Sequence, residues 1–312
     1  MAQMVVTAGV DVSKLRLDVE TWPIREQIGV DRDAAGLATL IAWLTEHGVM
    51  RIGLEASGGY ERLAIDTLED AGFEVVLLNA LRVRRFAQAK GKLAKNDEVD
   101  ARIIAQFTAF MVEQAPTPRR RDLDPLAELL TVRRQLKHWS TDCANQLEHL
   151  RDAGLRTIIR RRQASFEREL AKLDTRLVAL LNAHDDWQAL ARRLRTVPGV
   201  GPVVAPTLIA LLPELGRLSR RMIASLVGLA PYDDDSGKRR GERHIKGGRA
   251  TVREALYMAA VVAMTHNPVI AAFAERLAGK KPKVIITACM RKLLVILNAM
   301  LRDGTDWRIA AA

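Results

Sequence analysis

The stretch Ala8-Gly9-Val10-Asp11-Val12-Ser13-Lys14 decides how this 312-residue chain reads. An apolar run from Val5 delivers Asp11 to a turn, and Leu15, Leu17 and Val19 then resume in alternation. Alternation at period two marks half-buried strands, so the segment reads as two antiparallel strands with an acid near the end of the first. One acid alone has no meaning for function. Three more, Glu55, Asp97 and Asp100, stand where a fold would gather them with Asp11.

Outward from that stretch, residues 5–80 alternate strand and helix signals. Strands are expected at 5–10, 15–20 and 24–30. A helix is expected at 34–47, with Leu37, Leu40, Ile41 and Leu44 on one face and Gly48 as its stop. A strand at 51–55, a helix at 60–71 and a strand at 74–78 follow. Three early strands and then helix-strand-helix-strand predict an α/β domain of ribonuclease-H-like type over 1–115. Residues 81–95 are basic and loosely helical, with Arg82, Arg84, Arg85, Lys90, Lys92 and Lys95. Asn96 or Asp97 is placed to cap a helix running through Phe110.

Ala115-Pro116-Thr117-Pro118 reads as a linker. Beyond it, 116–195 predicts a long helical coiled-coil region. Phe166, Leu170, Leu173, Leu177, Leu180, His184, Trp187, Ala191 and Leu194 recur at alternating four- and three-residue steps, a heptad seam. Such a seam serves oligomerisation, a rigid spacer or an intramolecular helical hairpin. The remainder, 196–312, predicts a mainly α domain. Its start, Val197-Pro198-Gly199-Val200-Gly201, resembles a helix-hairpin-helix, in which Gly199 and Gly201 permit a tight turn and backbone amides hold a phosphate. A plain helix-helix corner fits the same residues. Residues 230–251 read as a loop, and closing helices are expected at 254–264 and 284–301, separated by Lys280-Lys281-Pro282-Lys283.

Charge divides along the same line. The net charge is +11, yet 1–115 holds 13 Lys+Arg against 17 Asp+Glu, and 116–312 holds 35 against 20. A basic part beside a mildly acidic one implies a polyanion partner. Cys143 and Cys289 lack any paired spacing, which excludes a disulfide framework and a cysteine zinc site. His149 and His184 have no partner at ligand spacing. No signal peptide is evident, and the apolar run 284–301 is interrupted by Arg291 and Lys292, a poor membrane span. A cytoplasmic protein without a membrane partner is expected.

The four acids have a common chemical reading. Phosphoryl transfer on nucleic acid commonly uses divalent metal held by carboxylate oxygens that converge from separate elements. Asp11 and Glu55 end strands, and Asp97 and Asp100 lie three apart on one helix, so they share a side of it. A second site stands at Tyr232-Asp233-Asp234-Asp235-Ser236-Gly237-Lys238-Arg239-Arg240-Gly241. A serine that attacks a phosphodiester needs exposure and cations. Lys238, Arg239, Arg240, Arg243, Lys246 and Arg249 supply the charge. On its own residues, Asp235-Ser236-Gly237 reads first as a turn, with an attacking serine the lesser alternative.

Taken together, Gly9 to Lys14, Leu54-Glu55-Ala56-Ser57-Gly58-Gly59-Tyr60, Ala94-Lys95-Asn96-Asp97-Glu98-Val99-Asp100-Ala101, Pro198-Gly199-Val200-Gly201 and Ser236-Gly237 resemble the DEDD transposases of the insertion-sequence one-ten family. The match runs in order along nearly the whole chain. The resemblance implies a RuvC-like domain, a coiled-coil region and a C-terminal transposase domain. It implies Asp11, Glu55, Asp97 and Asp100 as catalytic ligands of Mg²⁺ (or Mn²⁺), and Ser236 as the nucleophile of a covalent phosphoserine link to DNA. It also implies a bridge-type non-coding RNA that pairs with donor and target DNA, homodimers assembling to a homotetramer, and a bacterial or archaeal host. Lys14, Arg84, Arg85, Lys92, Lys95, Gly199, Gly201, Lys238, Arg239, Arg240, Arg243 and Lys246 are the expected nucleic-acid contacts.

Three other readings stay open on the residues. One is a metal-dependent nuclease of Holliday-junction type in which Ser236 is only a turn. Another is a sugar or acetate kinase, since Gly9-Val10-Asp11-Val12-Ser13 also resembles a phosphate loop of that wider fold group; the missing second Gly-rich motif counts against it. The last is a non-enzymatic nucleic-acid binding module.

Overall fold

The structure, a computed structural model, describes residues 5–91, 97–111, 120–234 and 241–308, with the backbone alone for 97–100. Its contacts fall into two units, Met1–Pro118 and Arg119–Ala312.

The first unit is built on a five-stranded sheet. Strands β1 (Thr7–Val12), β2 (Arg16–Trp22) and β3 (Gln27–Asp31) form an antiparallel meander, and β4 (Arg51–Glu55) and β5 (Glu74–Leu78) extend it parallel to β1, in the order β3-β2-β1-β4-β5. This order is compatible with a ribonuclease-H-like fold. The third strand starts later than expected because a turn intervenes, where Thr21 Oγ1 accepts the amide of Glu26 at 3.1 Å.

The alternation of side chains divides the sheet's two faces. Ala8, Val10, Ile52 and Leu54 face helices α1 (Ala34–Glu46) and α2 (Glu61–Asp70), whose Leu37, Leu40, Leu44, Ile65 and Leu68 complete one core. Each fully buried leucine there contributes about 1.5–3 kcal/mol of transfer free energy. Asp33 starts α1 by accepting the Gly36 amide at 2.8 Å, and Gly48 stops it in the left-handed region at φ 61°. The opposite face carries α4 (Asp97–Phe110), which packs with α3 (Ala80–Ala89) through Val83, Phe86, Ile103, Ile104 and Phe107.

The second unit is helical. A 3-10 turn, Arg121–Leu123, leads into α5 (Asp124–His149) and α6 (Ala153–Asn182). These two form an antiparallel hairpin, as the Arg133–Asp174 ion pair at 2.5 Å and the Trp139–Phe166 ring contact show. The heptad seam of the sequence does not run on one rod. It stops at Asn182, and exposed His184 stands just before α7 (Asp185–Arg195), which carries Trp187, Ala191 and Leu194. The remaining helices are α8 (Val204–Leu211), α9 (Arg220–Val227), α10 (Ala250–His266), α11 (Pro268–Glu275) and α12 (Pro282–Asp303). Between α9 and α10, β6 (Pro231–Tyr232) and β7 (His244–Ile245) pair as a small hairpin where a plain loop was expected.

One core joins these helices: Leu126, Leu130 and Leu177 pack in the same cluster as Leu208, Leu256, Leu293 and Leu297. Helix α12 is long and apolar enough to cross a membrane. Its apolar face is engaged in this core, with Cys289, Leu293, Leu294 and Leu297 fully buried.

Candidate active site

The first candidate site is assembled by α4. Thr7 Oγ1 donates to the Ala105 carbonyl at 3.1 Å, a Cβ added to Gly9 would strike the Ala101 carbonyl, and a Cβ on Gly53 would strike Thr108 Oγ1. Arg51 Nη1 donates to the Met111 carbonyl at 3.4 Å. Along α4 from Ala101 to Met111 the contacts therefore move back along β1 and β4, so the helix runs antiparallel to both. Its N-terminus, with Asp97 and Asp100 in the first turn, is directed to the C-terminal ends of β1 and β4.

Asp11 and Glu55 stand at those ends. Val10 pairs with Leu54 in parallel register, which sets Asp11 beside Glu55. Thr7, Gly9 and Asp11 share one face of β1, and Arg51, Gly53 and Glu55 share one face of β4. The contacts of Thr7, Gly9, Gly53 and Arg51 identify it as the α4 face. Both acids are half-buried. Asp11 and Glu55 offer hard oxygen donors of the kind that suit Mg²⁺ or Mn²⁺. Asp97 and Asp100 have no described side chains, and among the described residues no group of three or more potential ligands occurs.

Two ion pairs and one carboxylate brace this unit, Arg51–Glu74 at the opposite end of β4 from Glu55 and the other two nearer the acids, and none of them stood out in the sequence. Glu20, 1% exposed, accepts from Arg102 Nε of α4 at 2.7 Å and from Gln27 Nε2 at 2.7 Å. Arg51 grips Glu74 with two bonds of 2.7 Å. Glu61 closes the turn that follows Glu55: its carboxylate accepts the Ser57 amide at 3.1 Å, the Ser57 hydroxyl at 2.9 Å and the Gly59 amide at 2.8 Å. Burial pushes the Glu61 carboxyl up, but the combined hydrogen bonds from its own amide, Gly59 and Ser57 outweigh that and hold it below its ordinary range. The signal for Glu61 was present in Ser57-Gly58-Gly59-Tyr60-Glu61, an acid opening a helix just after a run of unsatisfied turn amides.

Of the expected basic contacts, Lys14 is exposed in the β1–β2 turn, on the same edge as Asp11. Arg84 and Arg85 are exposed on α3, and Lys92 and Lys95 lie outside the described residues.

The second candidate site is the β6–β7 hairpin. The segment that joins its arms carries Ser236, and 235–240, including Lys238, Arg239 and Arg240, lie outside the described residues. Its base is pinned. Tyr232 Oη and Ser225 Oγ are 2.9 Å apart, Arg243 pairs with Asp233 across the arms at 2.6 Å, and Arg253 donates to the carbonyls of Val227 and Gly247. Lys246 is exposed beside the hairpin. Arg249 is engaged elsewhere: it makes bonds of 2.6 and 2.5 Å to Glu214, which is 6% exposed, and one of 2.9 Å to the Leu211 carbonyl. Its charge is consumed inside the helical unit. Gly199, at φ 105°, has a packing reason: a Cβ there would meet the Ala259 carbonyl at 2.6 Å and Ala263 Cβ at 2.7 Å. Gly201 has open space around it.

Two family models match this chain, one over each candidate site. Residues 8–154 match a family model described as a transposase of the DEDD IS110 type, and residues 191–275 match one described as Transposase IS116/IS110/IS902 family. The chain belongs to the IS110 family of transposases, enzymes that act on DNA. Relatives of this family member include the pilin gene-inverting proteins of Moraxella lacunata and Moraxella bovis, each 27% identical over 95% of this chain and 95% of the relative. The transposase for insertion sequence element IS1328 of Yersinia enterocolitica is 25% identical, over 62% of this chain and 67% of its own length. The DEDD type implies dependence on a divalent metal in general terms.

Proposed function

We propose that this transposase breaks and rejoins DNA strands through Ser236, with Asp11, Glu55, Asp97 and Asp100 acting as one carboxylate site. The observation that carries the reading is the antiparallel seat of α4 on β1 and β4, which brings the helix start holding two acids to the strand ends holding the other two. These residues would hold Mg²⁺ or Mn²⁺, which when bound neutralises charge on the phosphate and on the oxygens that attack and leave. Ser236 Oγ forms a bond to phosphorus as a DNA hydroxyl is released, and the serine proton ends on that released oxygen. A second DNA hydroxyl then displaces the serine and restores it. Lys238, Arg239, Arg240 and Arg243 neutralise phosphate charge nearby, and Lys14 with the α3 cations holds the strand at the acidic edge.

On this reading the target is chosen by base pairing to a bridge-type RNA, so the protein needs few base-reading side chains. The relatives named for pilin gene inversion and for transposition fit one strand-exchange chemistry applied to different substrates. Homodimers associating to a tetramer would let the acids of one subunit complete a site with the serine of another, and the α5–α6 arm is the natural support for that contact. The work takes place in a bacterial or archaeal cytoplasm.

The test is a trapping assay with protein, the flanking RNA of the element, labelled donor and target DNA, and Mg²⁺. A denaturant-resistant protein–DNA adduct is expected, absent in Ser236→Ala and in Asp11→Ala. The second reading, a metal-dependent nuclease, rests on the same acidic edge acting alone. Cleavage without an adduct, unchanged in Ser236→Ala, would establish it instead.

A further inference from the structure

The sequence singled out Arg291 and Lys292, which interrupt the apolar run of α12, and the cluster Lys280-Lys281-Pro282-Lys283, and the strand-exchange chemistry uses neither. Arg291, Lys292 and, of that cluster, Lys283 line one groove of about 760 Å³ in the helical unit, while Lys281 pairs with Glu242 outside its lining. Its walls are α12, the first turn of α9 and both arms of the β6–β7 hairpin, with Phe273 of α11. Arg220, Arg221, Lys283, Arg291 and Lys292 line it, and no carboxylate does. Arg243, also in the wall, is the one with an ion-pair partner, Asp233; the other five have no carboxylate partner among the described residues.

Three features of these cations are costly without an anion. Arg291 and Lys292 are half-buried in the middle of a helix whose central turns are otherwise mostly apolar, where an unpaired charge loses hydration. Arg220 and Arg221 occupy the first turn of α9, and Lys283 that of α12, against the positive end of each helix dipole. Neither first turn holds an acid. An anionic ligand in the groove satisfies all three at once: it pairs with the side chains and is favoured by both helix N-termini.

The shape narrows the ligand to a strand. Lys283 and Arg291 lie two turns apart on one face of α12, a row about 12 Å long. Phe273 stands among the cations, with Lys292 Nζ 5.8 Å and Arg276 5.7 Å from its ring. Cations along a groove with an aromatic in the wall are how single strands are held without sequence preference. A groove of this volume admits a short stretch of one strand.

We propose that this groove holds a single strand of DNA beside the hairpin that carries Ser236. The inference rests on the reading of Ser236 as the strand-exchanging residue, which makes DNA rather than RNA the polymer that must reach this hairpin.

The experiment uses full-length protein and a short fluorescent single-stranded oligodeoxynucleotide, with affinity measured by anisotropy across a salt series. Arg291→Gln/Lys292→Gln and Arg220→Gln/Arg221→Gln are each expected to lower the salt slope by about 1.4, at about 0.7 for each lost phosphate contact on a single strand. Arg291→Lys/Lys292→Arg is expected to keep the wild-type slope, and so is Arg161→Gln/Arg162→Gln on the exposed face of α6. A photoreactive base in the oligonucleotide is expected to crosslink to Phe273. Unchanged slopes in both groove variants, or an equal loss in the α6 variant, would overturn the proposal. Preferential crosslinking of Phe273 to the guide RNA would overturn it as well. The adduct assay in the same preparations separates the two readings: an adduct lost in Ser236→Ala with unchanged groove slopes sinks the groove alone, and an adduct retained in Ser236→Ala sinks the serine reading alone.

Discussion

The α carbon of Gly9 lies against the carbonyl oxygen of Ala101, so close that a single added methyl would overlap it. The contact is between backbone and backbone, which leaves no flexible side chain to give way. Gly9 is therefore what allows α4 to rest directly on β1, and α4 is what brings Asp97 and Asp100 toward Asp11. Gly9→Ala is expected to lower the unfolding free energy by at least about 1–3 kcal/mol, the usual cost of overpacking, and to abolish adduct formation by displacing the helix. Denaturant unfolding and the trapping assay read the two effects. A stable, fully active Gly9→Ala would show that α4 does not set the acidic edge.

Glu20 and Arg102 fix the same helix laterally. Glu20 is buried on β2, and the Arg102 side chain is 31% exposed, so the pair is only partly desolvated. Removing one partner of a fully buried pair costs about 3–5 kcal/mol, and solvent screening of Arg102 reduces that here to about 2–3 kcal/mol for Arg102→Ala. Glu20→Leu with Arg102→Met is expected to recover most of the loss, because neither charge is then stranded. A double variant no more stable than Arg102→Ala would contradict this account.

Glu61 makes the turn after Glu55 sensitive to acid. Its folded-state pKa lies below the ordinary carboxylate range, so its contribution is fully present above that range. It is lost as pH falls through the depressed folded value, because a protonated Glu61 no longer accepts all three donors. Glu61→Gln is expected to be about 1–2 kcal/mol less stable than wild type near neutrality, with the gap closing on acidification below the carboxylate range. Unfolding free energies of both proteins across pH check it. A gap that widens in acid would give the shift the opposite sign and sink the assignment.

The acids were legible in the sequence because their neighbours follow simple periods. Alternation around Asp11 and Glu55 marked strand ends, and the spacing of Asp97 and Asp100 marked one helical side. That they gather was expected; the means was not legible, since the seat of α4 on β1 and β4 depends on Gly9 and Gly53, whose role is the absence of a side chain. The heptad seam hid a helix break, because Ala183 and His184 interrupt α6 and α7 without disturbing the apolar phase. The β6–β7 arms are too short to show any period, and their pairing brings Asp233 and Arg243 together across nine intervening positions. Helix α11 begins at Pro268 directly after Asn267, whose side chain caps it through the amides of Val269 and Ile270, a start signal read only once α10 is seen to end there.

Charge alone also failed to separate Arg249 from Lys246, three residues apart beside the serine hairpin. The structure gives them different work. Lys246 is exposed, whereas Arg249 clamps buried Glu214 through two nitrogens and holds the end of α8 through the Leu211 carbonyl. Arg249→Gln strands a carboxylate that is 6% exposed, so it is expected to cost about 2–3 kcal/mol, discounted from the fully buried case because Arg249 itself is 35% exposed. Arg249→Lys keeps the charge but loses the two-pronged geometry and is expected to recover only part of it. Neither substitution is expected to alter the salt slope of DNA binding, since the guanidinium is already neutralised by Glu214. Lys246→Gln is expected to do the reverse, leaving stability within about 0.5 kcal/mol of wild type and lowering the slope by roughly 0.7 on single strands. Thermal unfolding beside anisotropy titrations in a salt series distinguishes the two residues. A lowered slope with unchanged stability in Arg249→Gln would return that arginine to the DNA.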